Sequence, residues 1–200
     1  QRSKVQFRQT SVTSADLAQR QLRLEDGTTL GYDLLSINTG STPPLDNTPG
    51  AKENTLAIKP IEDFLLGWEA MRESIANSKK PSRIALVGGG AGSVELALAM
   101  QHALRAATNY EPTFEIVCDT PSILMTHNNY VRRKFRHILA QRRIGVRANS
   151  RVVALENQQL IFQQGNNAPY DFIIWVTGAE PAKWPGAAGL ATDARGFIQI

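Results

Sequence analysis

Cysteine is nearly missing from this 200-residue chain, Cys118 being the single one. One thiol cannot make an intrachain disulfide, a cysteine-based metal site or an internal dithiol redox pair. The lack of disulfides is compatible with a reducing compartment, so a cytoplasmic location is expected. His102, His127 and His137 show no metal-ligand spacing with carboxylates or with Cys118, and no metal site is expected. No apolar run approaches the roughly 18 residues that a spanning helix needs, which argues against a transmembrane segment. Neither a signal peptide nor an initiating methionine opens the chain, and its last residues, 197–200, read as a strand just begun. An internal segment of a longer protein is therefore expected.

Acidic residues are absent from Thr120 to Leu155, where Arg132, Arg133, Lys134, Arg136, Arg142, Arg143, Arg147 and Arg151 supply eight positive charges. With a total of +4, the remainder carries −4 (4 minus 8). Such clustering suits an anionic partner or, more simply, a solvated helix face with Val131, Phe135, Ile138 and Leu139 as its buried stripe. The arginines are not interleaved with a row of aromatic side chains, as a stacking surface for single strands requires. No nucleic-acid partner is expected.

What is present is a repeat. Tyr32-Asp33-Leu34-Leu35-Ser36-Ile37-Asn38-Thr39-Gly40-Ser41-Thr42-Pro43 returns 138 positions later as Tyr170-Asp171-Phe172-Ile173-Ile174-Trp175-Val176-Thr177-Gly178-Ala179-Glu180-Pro181. The match extends upstream without a gap, Gln21-Leu22 to Gln159-Leu160 and Gly27 to Gly165. Each copy has an alternating strand, a glycine turn, a short apolar strand and Thr-Gly at its end. Between them lies Val87-Gly88-Gly89-Gly90-Ala91-Gly92-Ser93. A repeated strand ending around a phosphate-type loop suggests two related nucleotide-binding folds, one nested in the other.

Residues 1–45 have strand character, with Asp26-Gly27 as a hairpin turn and an apolar strand over 34–37. Residues 41–57, holding Pro43, Pro44, Pro49 and Gly50, read as a connector. Ile61, Phe64, Leu65, Trp68, Met71 and Ile75 then mark an amphipathic helix, with Pro60 at its start and Pro81 past its end. A buried strand over 83–87 leads through the glycine loop into a helix over about 93–107. A second strand over 114–118, a second helix over 128–143, a third strand over 144–147, two antiparallel strands within 151–162 and a buried strand over 172–176 complete the order. Alternating strands and helices imply a parallel sheet with right-handed crossovers. The fold class is α/β, a Rossmann-like parallel sheet with an antiparallel β-meander and the partial strands of a second domain.

A dinucleotide diphosphate carries two negative charges that must approach the backbone closely. Side chains would block that approach, and unpaired N–H groups at a helix start attract the phosphates. Gly88, Gly89 and Gly90 fit such a loop, with Ser93 where a third small residue lets helix and strand pack. No Lys-Ser or Lys-Thr follows, which excludes a Walker loop. At the end of the second strand, where an acid holds the ribose hydroxyls, Cys118 takes the position and Asp119 comes next. Asp119 either serves the ribose, favouring NAD, or starts the loop. No arginine follows at once to take a 2′-phosphate, although Arg132 and Arg133 could reach one, so the choice between NAD and NADP stays open. Glu95 is read in the first helical turn, serving the helix dipole or the nicotinamide end. Cys118, Trp68, Trp175 and Trp184 read as packing residues.

The order of motifs, Tyr-Asp-strand-Thr-Gly, amphipathic helix, Val-Gly-Gly-Gly-x-x-Ser-x-Glu-Leu-Ala, basic helix and a second Tyr-Asp-strand-Thr-Gly, resembles the FAD-dependent pyridine nucleotide–disulfide oxidoreductase superfamily over nearly all of residues 20–200. Without redox cysteines it looks closer to type II NADH dehydrogenases and sulfide:quinone oxidoreductases than to disulfide reductases. His127-Asn128 leading into Val131-Arg132-Arg133 is also similar to the flavoprotein module fused to some selenide, water dikinases. The resemblance implies residues 1–45 as a remnant of an FAD domain, 46–80 as connector and helix, 81–181 as an NAD(P)H-binding domain, and 182–200 as the return. Gly88, Gly90 and Ser93 would cradle the nucleotide, Glu95 would lie near the nicotinamide, Thr177 and Gly178 would border it, and Thr39 and Gly40 would sit beside FAD.

The implied intact protein is an FAD-dependent NAD(P)H oxidoreductase, passing hydride from nicotinamide to flavin and on to an acceptor such as a quinone. This segment alone is then expected to be inactive. A quinone acceptor would place it peripherally at a membrane, and a homo-oligomer is left open. The rival reading is a non-catalytic nucleotide-binding or regulatory module.

Overall fold

Apolar alternation and turn chemistry set most of the elements of this chain. Its computed structural model describes residues 5–105, 107–108 and 110–200. In chain order the first elements are β1 (Val12–Asp16), β2 (Gln21–Leu24), β3 (Thr29–Gly31) and β4 (Ser41–Thr42). Next come α1 (Ala51–Asn54), β5 (Leu56–Ala57), α2 (Ile61–Ala76), β6 (Arg83–Val87) and α3 (Ala91–Leu104). They are followed by β7 (Thr113–Val117), α4 (Asn129–Gln141), β8 (Gly145–Arg147), β9 (Val152–Glu156) and β10 (Gln159–Phe162). The last are β11 (Ala168–Pro169), β12 (Phe172–Trp175), β13 (Glu180–Pro181) and α5 (Trp184–Ala187). Two units result, one of Gln1–Thr42 with Glu180–Ile200, the other of Pro43–Ala179.

In the larger unit β5, β12, β6, β7 and β8 form, in that order, a five-stranded sheet whose pairings are all parallel. Successive side chains of a strand point to opposite faces, and here both faces are covered, so β6 and β12 are apolar almost throughout. Ile84, Leu86, Phe114, Ile116 and Ile174 meet Phe64, Met71 and Ile75 of α2, Val94, Ala97, Met100 and Leu104 of α3, and Leu139 of α4. On the other face Ala85, Val87, Val117, Ile173 and Trp175 pack with Leu155, Leu160, Phe162 and Ala168 of the meander β9–β10–β11. Helices thus fill one side and a meander the other. Tyr170 closes the lower edge of the second cluster: its buried phenol donates to Glu115 of β7, and the Arg83 guanidinium lies 5.0 Å from the ring centre. Glu115 also pairs with Arg147 at 3.5 Å. Burial, then the hydrogen bond to Glu115, raises the Tyr170 phenol far above the usual tyrosine range.

The repeat is physical as well as textual. In the smaller unit β2 pairs with β3 as Gln21↔Gly31 and Leu22↔Leu30; in the larger, β10 pairs with β11 as Gln159↔Pro169 and Leu160↔Ala168. The Tyr32 amide donates to the Arg20 carbonyl at 3.0 Å and the Tyr170 amide to that of Gln158 at 2.9 Å. Asp26 and Gly27 make the hairpin turn: Asp26 Oδ1 accepts from the Thr28 amide at 2.9 Å, and Gly27 has φ 81°.

The copies part after the meander. Residues 172–175 become β12, whereas the strand expected over 34–37 does not form and Leu34 is 90% exposed. The physical reason is pairing, since β12 has β5 and β6 beside it and 34–37 has no ladder partner among the described residues of its unit. The strand expected at 197–200 is likewise reduced to a single bridge between Ile198 and Thr192. The expected connector holds α1 and β5. Helix α3 begins at Ala91, two residues before the expected start, and ends at Leu104; position 106 of the expected helix and positions 1–4 of the expected strand region lie outside the described residues.

Candidate functional site

The carboxyl ends of β6, β7 and β12 open into a cleft of about 790 Å³, all of it within the larger unit and of a size suited to a small-molecule ligand. Gly88, first after β6, donates its amide to the Val117 carbonyl at 2.8 Å and has φ 129°, where a side chain is strained. A Cβ there would stand 2.7 Å from the Val176 carbonyl oxygen. At Gly89 a Cβ would meet that of Cys118 at 2.8 Å, and the Gly89 carbonyl accepts from the Leu124 amide at 2.7 Å. Gly90 caps α3, and a Cβ there would have nothing within 4 Å. Two glycines are thus demanded by the close crossing of strands and loop. The third leaves bare backbone in front of the helix, whose first amides have no acceptor within it.

Asp119, exposed, follows β7 on the cleft's rim, and Thr177 and Gly178 follow β12. Six expected residues are thereby brought together: Gly88, Gly89, Gly90, Asp119, Thr177 and Gly178. The others are not. Ser93 is fully buried in the first turn of α3 and outside the lining; its Oγ finds no hydrogen-bond partner among the described residues. Glu95 is exposed, also outside the lining, and lies beyond the first turn because the helix starts at Ala91. Thr39 and Gly40 belong to the smaller unit, where they line a hollow of about 560 Å³ with Leu35, Ile37 and Phe197.

Thr48, Ser150, Arg151, Gln163 and Trp175 line the cleft without having been anticipated as site residues. The Ser150 amide donates to the Cys118 carbonyl at 2.8 Å and that of Asn149 to Thr120 at 2.9 Å, which fastens the segment before β9 to the end of β7. No local pattern announces this, because it depends on contacts between distant parts of the chain. Trp175 is 3% exposed, and its indole N–H has no partner among the described residues, leaving a donor free beside the cleft. The basic stretch expected on α4 shows Leu139 buried, Val131, Phe135 and Ile138 half-buried, and Arg133, Lys134 and Arg136 exposed. Among the described residues no group of three or more His, Cys, Asp or Glu could hold a metal, and no helix is long and apolar enough to cross a membrane.

A parallel sheet with a glycine loop between its central strand and a helix defines an α/β protein of the dinucleotide-binding type. The pyridine nucleotide-disulphide oxidoreductase family matches over residues 1–200, and the chain belongs to that family. It is 29% identical over 183 residues to the demethylphylloquinone reductase NdbB of Synechocystis, covering 88% of this chain and 44% of that protein. It is 25% identical over 195 residues to the NADH dehydrogenase-like protein YutJ of Bacillus subtilis, covering 94% of this chain and 50% of the other. The chain therefore spans about half the length of these curated relatives. Among solved structures, the sulfide:quinone oxidoreductase of Aquifex aeolicus shares the fold with a TM-score of 0.75 at 22% identity, covering 94% of this chain and 47% of that one.

Proposed function

We propose that this chain is the NAD(P)H-binding portion of an FAD-dependent oxidoreductase that passes reducing equivalents to an acceptor such as a quinone. The observation that carries the reading is the bare backbone at Gly90, open to the cleft at the start of α3. The family supports the pyridine nucleotide, and the similarity to a demethylphylloquinone reductase supports the quinone.

When bound, the nicotinamide supplies a hydride and the flavin accepts it. This chain's own residues bind and orient. Amides of the Gly88–Gly90 loop and of the first turn of α3 hold the diphosphate without a side chain in the way. The Asp119 carboxylate accepts from ribose hydroxyls, and Thr177 and Gly178 border the nucleotide at the end of β12. The hollow at Thr39 and Gly40 belongs to the flavin side. Ser93, fully buried in the first turn of α3, is a small residue that lets the helix pack close to the sheet.

Calorimetric titration of the chain with NADH tests this. Saturable binding is expected, and Gly90→Asp, which sets a carboxylate against the diphosphate, should abolish it with the melting temperature little changed. Binding that survives in Gly90→Asp would place the ligand away from the loop and end the reading.

A further inference from the structure

The cleft has two charged side chains among its described lining residues, Asp119 and Arg151. Both are exposed, and neither takes part in an ion pair among the described residues, with each other or with any third group. They are nonetheless held by one piece of backbone. The bonds from Asn149 to Thr120 and from Ser150 to Cys118 clamp the segment before β9 onto the residues flanking Asp119. The Arg151 carbonyl accepts from the Gln163 amide at 2.9 Å, which fixes its main chain on the other side. A free guanidinium and a free carboxylate are thus anchored on the same cleft. Arg132 and Arg133, the cations considered from the sequence, are outside the lining, and Arg132 is engaged with Asn129 Oδ1 at 3.3 Å and Met125 Sδ at 3.1 Å.

We propose that Arg151 is the residue that selects the nucleotide, binding a phosphate on the adenosine ribose so that the cleft accepts NADPH. The inference rests on the dinucleotide reading and adds to it which nucleotide is taken. A lone carboxylate on the rim would suit an unphosphorylated ribose, whose two hydroxyls both donate, and would repel a 2′-phosphate. A phosphorylated ribose offers one hydroxyl and one dianion and uses both groups at once, Asp119 accepting from the 3′-hydroxyl and Arg151 donating to the phosphate. Guanidinium suits that task because its paired N–H groups match two phosphate oxygens, which an ammonium cannot do. The position just after β7 is the buried, uncharged Cys118, so Asp119 is the one carboxylate that the incoming phosphate meets among the described lining residues.

The experiment is calorimetric titration of the 200-residue chain and of its Arg151→Ala and Arg151→Lys variants with NADPH and NADH, at low and at high salt. In the unaltered chain both nucleotides should bind, NADPH with the steeper salt dependence. Arg151→Ala should weaken NADPH about tenfold or more, the loss of a charged hydrogen bond, and leave NADH within about twofold. Arg151→Lys should keep part of the NADPH affinity. An equal loss for both nucleotides would mean that Arg151 serves the shared diphosphate, and no loss for either would mean that it serves neither; each overturns the proposal while the dinucleotide reading stands. Failure of the unaltered chain to bind either nucleotide overturns the dinucleotide reading, and this inference with it.

Discussion

Gly88 and Gly90 are two positions apart and are constrained by opposite things. At Gly88 the backbone sits at φ 129° and a Cβ would press to 2.7 Å from a carbonyl oxygen of the neighbouring strand end. Neither party is a flexible side chain that could swing away. Gly88→Ala should therefore cost about 2 kcal/mol or more of stability, whatever it does to a ligand. Gly90 has an ordinary φ of −81° and empty space where a Cβ would go. Gly90→Ala should unfold within about 1 kcal/mol of the parent, as expected for a change at a cap that makes no side-chain bond. On the proposed reading its methyl group would instead occupy the approach of the diphosphate, and nucleotide affinity should fall about tenfold. Urea unfolding and calorimetry on the same two variants separate these effects. If Gly90→Ala lost stability as Gly88→Ala does, or kept its affinity, the loop would be a structural crossing and no cradle.

At the scale of elements, Tyr170 links the meander to the sheet, and its protonation has a definite sign. Burial and the bond to Glu115 raise the folded-state pKa, so the neutral phenol is favoured in the folded chain. The stabilisation is fully present below the unfolded tyrosine value of about 10 and is lost as pH rises beyond it. Tyr170→Phe should cost about 1 kcal/mol at neutral pH and flatten the alkaline decline measured by urea unfolding between about pH 8 and 11. An unchanged decline would assign it to other groups. The elements that such bonds join were legible where a pattern ran long enough. The spacing of Phe64, Met71 and Ile75 marked α2, and the apolar runs in β6 and β12 marked strands covered on both faces. Residues 34–37 are apolar at all positions but Ser36, and 172–175 at all four, yet only the second set is a strand, because strandness is also a property of a pair. The elements α1 and β5, four and two residues long, are too short for any periodicity to show. Glycines announced the loop by the steric demand they relieve. Arg151 and Gln163 carry no local mark, since their place depends on a bond between Ser150 and Cys118, 32 positions apart. The second hairpins, β2–β3 and β10–β11, share their register as their shared residues suggested, whereas the first hairpins differ in their turn: four residues separate β1 from β2, two separate β9 from β10.

For the whole molecule, the distribution of buried residues makes a stronger statement than the length of the match to any relative. Both large apolar clusters lie between Leu45 and Val176, and the cleft is lined from Pro44 to Gly178. Each set falls inside the unit Pro43–Ala179 with nothing left over. A chain of this size buries about two thirds of its unfolded surface, which is enough for a cooperative core. Residues 43–179 produced alone should accordingly unfold in a single transition and bind the dinucleotide within about threefold of the full 200 residues, a modest change on the scale where 1.4 kcal/mol is tenfold. Calorimetric melting and nucleotide titration of this segment beside the full chain decide the matter. A segment that folds but has lost its affinity would show that the cleft takes an essential group from outside its own lining. One that does not fold would show that the two clusters, though complete in side chains, need the remaining strands to hold. The nested repeat favours neither failure: the larger unit carries its own meander, its own sheet edges in β5 and β8, and helices on the face the meander leaves free, so both faces of its parallel sheet are covered by residues it also contains.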